Sequence, residues 1–156
     1  MKLKKGEQQA KLILEKKGYI FDNNYWDDNS KESMPDLRYA TGNYLEVTHT
    51  KHNHIKVDIE NEIHSIDNII FEIKEDKGLK YRNRSYGIDL FCFITEKEYA
   101  DLEKNLKEYP NNNATLFIRT VLESPFERIY LCVWDLNNRL YEIDNPMLIT
   151  IRRDES

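Results

Sequence analysis

The run Ile88-Asp89-Leu90-Phe91-Cys92-Phe93-Ile94 constrains the fold more than any other stretch of the chain. A strand this continuously apolar suits the centre of a sheet that is covered on both faces. The surrounding pattern supplies helices to cover it. Residues 5–17 read as a helix stopped by Gly18, with Leu3, Ala10 and Leu14 on one stripe. Residues 57–76 read as a long helix closed by Gly78, with Ile59, Ile63, Ile66, Ile70 and Ile73 on one face. Thr95-Glu96-Lys97-Glu98 has the capping-box pattern and opens a helix that ends before Pro110. Residues 19–26, 36–39, 44–49 and 128–136 read as further strands. Asn137-Asn138 turns the last of these into residues 140–143, and residues 148–152 form an edge strand. Residues 116–122 fit a strand or a short helix equally. The expectation is an α/β fold: a single domain over residues 1–156, with a central mixed sheet flanked by helices.

Two of the strands carry acids. Asp36 follows Pro35 and opens Asp36-Leu37-Arg38-Tyr39, and Glu46 lies within Tyr44-Leu45-Glu46-Val47-Thr48-His49. Ala40-Thr41-Gly42-Asn43 between them has turn chemistry, so a hairpin would bring Asp36 and Glu46 together. Alternation puts Glu46 and Thr48 on one face, with Val47 and His49 on the other. Two converging carboxylates make a hard oxygen site suited to Mg²⁺ or Mn²⁺. Glu7 falls inside the apolar stripe of the first helix. It reads either as a third acid of the site, because an acid aimed at a core needs a partner, or as a first-turn acid favoured by the helix dipole.

The order helix, strand, Pro-Asp strand, Glu-x-Thr strand, helix, strand resembles the PD-(D/E)xK nuclease superfamily, the restriction-endonuclease-like fold. Lys5-Gly6-Glu7-Gln8-Gln9-Ala10 followed by Lys17-Gly18-Tyr19-Ile20-Phe21 is similar to the opening of its resolvase-like and restriction-like members. The resemblance is specific over residues 6–49. It implies an αβββαβ core with extra C-terminal strands and a Mg²⁺- or Mn²⁺-dependent endonuclease acting on DNA. It further implies a site of Asp36, Glu46, position 48 and Glu7, with the metal held by Asp36, Glu46, the Val47 carbonyl and Glu7. The motif lysine of the superfamily would fall at position 48, where this chain has Thr48. Threonine carries no charge, so the cation comes from elsewhere, with Lys51, Lys56 and Lys74 as stand-ins, or the chemistry is lost. The second outcome gives a catalytically inactive nuclease-fold protein that binds nucleic acid or a protein partner. Many relatives dimerise, so a homodimer fits the resemblance, although no dimer face is legible.

The formal net charge of −5 argues against a simple nucleic-acid binder. Local charge differs. Lys77, Lys80, Arg82 and Arg84 occur together without an acid in residues 77–86, interleaved with Tyr81 and Tyr86. Lys80, Arg82 and Arg84 suit phosphates, and Tyr81 and Tyr86 suit base stacking. The alternative is a solvated loop. Zinc is not expected: His49 reads as a core histidine, His52 and His54 as loop residues, and no fourth ligand is evident. His49 or His52 as general base, and a cleft-lining pair of Glu60 and His64, are weaker readings. Cys92 and Cys132 sit in apolar runs and read as buried thiols. No apolar run approaches a membrane span, and the Lys-rich start is not followed by a signal-peptide core, which points to the cytoplasm.

Overall fold

The computed structural model describes residues 3–25, 34–50, 65–134 and 148–152. The expected central strand is β3 (Ile88–Thr95), buried along its whole length. Alternation divides it between two cores. Leu90, Cys92 and Ile94 face one side, and Phe91 and Phe93 face the other. On one edge of β3, β2 (Tyr44–His49) pairs parallel, and β1 (Leu37–Arg38) pairs antiparallel to β2. On the other edge, β4 (Arg128–Trp134) pairs parallel to β3, and β5 (Leu148–Arg152) closes the sheet antiparallel to β4. The five strands therefore lie in sequence order in one mixed sheet, and the architecture is α/β.

The helices cover the two faces unequally. Helix α1 (Lys5–Lys16) lays Ala10, Ile13 and Leu14 on the face that holds Leu45, Phe91 and Phe93. Gly18, at φ +100°, takes the chain out of it. The opposite face is covered by α2 (Ile66–Phe71), a π-helical turn (Glu72–Asp76) and α3 (Lys77–Tyr81), which run on from one another. Helices α4 (Glu96–Lys107) and α5 (Asn112–Glu123) complete that layer through Leu102, Phe117 and Val121. The capping box of Thr95 and Glu98 forms as its sequence requires.

Three local expectations are corrected, and one left open is settled. The strand expected over residues 19–26 is a single bridge, Phe21 to Tyr39, because the partner β1 is only two residues long. Among the described residues, two strands and that bridge precede the helical layer, where the αβββαβ pattern has three strands. The long helix is not continuous through residue 65. Ser65 is extended and its hydroxyl caps Asp67 N–H, so α2 begins at Ile66. Gly78 does not close this helix but lies inside it. Residues 116–122 are helical, because Asn111 caps the Ala114 N–H and Ala114, Phe117 and Val121 recur at helical spacing. The strand expected at residues 140–143 and its Asn-Asn turn lie outside the described residues, as does the polar loop at 27–33. Among the described residues no helix is long and apolar enough to cross a membrane.

Candidate active site

The hairpin that unites the two acids forms. Tyr39 N–H donates to Asn43 O at 2.8 Å, and Gly42 takes φ +106°, a conformation that a side chain would strain. Pairing places Leu37 opposite Leu45, and β1 ends there. The next residue, Asp36, satisfies the strand edge in another way. Its Oδ2 accepts the Val47 N–H at 2.8 Å, while its own N–H donates to Glu46 Oε1 at 3.2 Å. Buried Pro35 has no N–H to offer a ladder, which suits a strand that stops at this point.

Glu7 joins this pair. Its position in the first turn of α1 lets Oε1 accept the Lys4 N–H at 3.1 Å, the backbone half of a capping box. Its carboxyl also lies close enough to Asp36 to help raise the Asp36 pKa. The first-turn reading of Glu7 is seen in the Lys4 N–H bond, and the side chain also neighbours Asp36. Burial first, and then the charge of Glu46, push Asp36 up to about 8, against the stabilising Val47 N–H; Glu7 adds to the rise.

Glu46 lies on the helix side of β2 and is 1% exposed. Burying a carboxylate needs compensating partners, and α3 supplies them. Tyr81 Oη donates to Oε1 at 2.8 Å. Lys80 Nζ lies 3.1 Å from Oε2 and Lys77 Nζ lies 3.2 Å from it. The three residues share one face because they are spaced i, i+3 and i+4. Their aim depends on the π-helical turn, which adds a residue to one turn and rotates everything after it. Gly78 makes that turn possible, since a Cβ there would fall on the Ile73 carbonyl oxygen.

Position 48 has a different use. Thr48 Oγ1 donates to buried Glu72 at 2.8 Å, and one step along the same face Thr50 Oγ1 donates to buried Glu98 at 2.6 Å. A lysine is not needed there to neutralise Glu46, because Lys77 and Lys80 do so from the helix. The stand-in Lys74 is exposed and lines a groove of about 410 Å³ between α3 and α5. Lys51 and Lys56 lie outside the described residues, as do His52, His54, Glu60 and His64. His49 is exposed, with Nδ1 near its neighbour's carbonyl, and is not a core histidine.

The basic segment divides. Lys80 belongs to the carboxylate site. Tyr81 is fully buried, so its ring cannot stack on a base, which corrects that expectation. Arg82 and Arg84 are exposed, Arg82 on the α3–α5 groove. Tyr86 is half-buried and packs on Tyr44 with ring centroids 4.7 Å apart. Sequence reasoning missed Lys77 as a site residue, and the available signal was its spacing from Lys80 and Tyr81. Cys92 and Cys132 are buried free thiols.

The donor chemistry suits a hard divalent cation: Glu46 and Glu7 both lie near enough to Asp36 to raise its pKa. Among the described residues no three acidic, histidine or cysteine side chains are already arranged as a metal-binding group. Both oxygens of Glu46 are engaged by protein donors. No protein-family model, curated protein or solved structure matches the chain.

Proposed function

We propose that this protein is a metal-dependent nuclease that hydrolyses phosphodiester bonds in DNA. The observation that carries the reading is the pairing of Asp36 with Glu46 at the end of a short edge strand, with Glu7 near Asp36 and two lysines on Glu46. Asp36, Glu7 and the Val47 carbonyl would hold Mg²⁺ or Mn²⁺, with Glu46 joining when its lysines move. Such an ion supplies an acidified water and neutralises charge on the phosphate. Lys80 and Lys77 take the place of the motif lysine that position 48 lacks, holding a phosphate oxygen or orienting water beside it. Tyr81 fixes the Glu46 carboxylate. Arg82 and Arg84 contribute backbone contacts, and buried thiols suit a cytoplasmic setting.

The test is cleavage of single-stranded, duplex and branched DNA with Mg²⁺ or Mn²⁺. Wild type should cleave at least one of them, and Asp36→Ala with Glu46→Ala should cleave none. Equal cleavage by both proteins, or none by wild type, would defeat the proposal.

One observation favours a second reading, a non-catalytic protein of this kind that binds nucleic acid or a protein partner. The Glu46 carboxylate is fully partnered as it stands, and Thr48 is committed to Glu72. Nucleic-acid binding that survives the double alanine substitution, without cleavage, would select it.

A further inference from the structure

Glu46 is engaged on every side. Oε1 accepts from Asp36 N–H and Tyr81 Oη, at 3.2 and 2.8 Å. Oε2 accepts from Lys80 at 3.1 Å and has Lys77 Nζ at 3.2 Å. A carboxylate has about four acceptor positions, so little remains for a metal ion. The four partners are not alike. The Asp36 N–H is fixed by the strand edge, and Tyr81 is anchored in the core. The lysine side chains are 19% and 30% exposed and carry their ammonium groups on flexible stems. Two ammonium charges equal the charge of one divalent cation, so exchanging one for the other leaves the local balance unchanged.

We infer that Lys77 and Lys80 act as an internal counter-cation that keeps a divalent ion off Glu46 until a phosphodiester draws the two ammonium groups away. This rests on the nuclease reading and adds its regulation. The site then binds metal weakly until substrate is present. Metal and nucleic acid bind cooperatively, because each favours the state in which the lysines have left Glu46, and the coupling is reciprocal.

The test is Mn²⁺ titration by calorimetry on the full chain, with and without a duplex oligonucleotide protected by phosphorothioate linkages. The proteins are wild type, Lys77→Gln/Lys80→Gln, each single variant, and Lys74→Gln/Lys97→Gln, which loses the same two charges away from Glu46. Without duplex, the site double variant should bind Mn²⁺ about tenfold more tightly than wild type, the equivalent of releasing one charge-assisted hydrogen bond. The single variants should fall between, and the control variant should match wild type. Adding duplex should tighten Mn²⁺ binding to wild type and leave the site variant unchanged. Equal affinity in wild type and the site variants, an equal gain in the control variant, or no effect of duplex on wild type would overturn the inference while leaving the nuclease reading to its cleavage assay. No Mn²⁺ binding by any of the proteins, with or without duplex, would overturn both. Thermal melts of the single variants separate a folding defect from an effect on the site.

Discussion

Replacing Gly78 by alanine should destabilise this protein, although alanine is the better helix former. In an ordinary helix the exchange is favourable by about 1 kcal/mol. Here Gly78 is buried within α3, two residues after the π-helical segment, and its new methyl group would fall on the Ile73 carbonyl oxygen, 3.2 Å from the Ile73 carbonyl carbon. The obstacle is backbone, so no rotamer change relieves it. Overpacking of this kind costs about 1–3 kcal/mol. If the helix relaxes by rotating α3, Tyr81 loses its hydrogen bond to buried Glu46, adding about 1–3 kcal/mol for a bond to a charged acceptor. The lysine contacts are partly exposed and contribute little to this sum. Net of propensity, the loss should be about 2 kcal/mol, or about 4–8 °C in Tm for a chain of this size. Urea unfolding and thermal melts followed by circular dichroism measure it, and DNA cleavage should fall with it. A Gly78→Ala protein stabilised by about 1 kcal/mol would show that propensity governs the position and that the π-helical turn is not needed to aim α3.

Other substitutions probe the same arrangement. Tyr81→Phe removes one donor from Glu46 and should cost about 1–3 kcal/mol in chemical denaturation; no change would mean that the hydroxyl carries no load. Thr48→Lys would press an ammonium stem into a position that is 8% exposed, beside Glu72. It should destabilise by about 1–3 kcal/mol without raising cleavage, whereas a gain in cleavage would show that the helix lysines do not replace the motif cation. Burial, partly offset by the Tyr39 hydroxyl and Arg128, raises Asp89 from 3.8 to about 6. The folded state therefore holds that proton more tightly than the unfolded state. Its contribution to stability is complete below about pH 4 and is lost as pH rises through about 6. Asp89→Asn should flatten that part of the Tm profile, and an unchanged slope would refute the assignment.

The sequence exposes what depends on periodicity and turn chemistry. The β3 run, the α1 stripe, the Gly42 turn and the Thr95 capping box are local signals, and each is found where its residues require. The convergence of Asp36 and Glu46 was legible because a four-residue turn fixes the hairpin register. The cation of the site was not. The stand-ins legible in the sequence are Lys51, Lys56 and Lys74, whereas the ammonium groups on Glu46 come from Lys77 and Lys80, more than thirty residues after it, through a helix whose phase is shifted by a π-helical turn. Nothing in simple 3.6-residue periodicity announces that shift, and Gly78 reads as a stop until its approach to the Ile73 carbonyl is seen. Tyr81 was misread for the same reason: beside basic residues it looks like a surface aromatic, but the shifted phase turns it into the core. The strand expected at residues 19–26 failed because periodicity does not report how long its partner is.

The account depends most directly on whether the Asp36–Glu46 pair binds a hard divalent cation. Calorimetric titration of Mn²⁺ into wild type and into Asp36→Ala/Glu46→Ala measures this, with circular dichroism to establish that both are folded. Binding to wild type that is absent from the double variant is the predicted result. Indistinguishable isotherms from two folded proteins would contradict it.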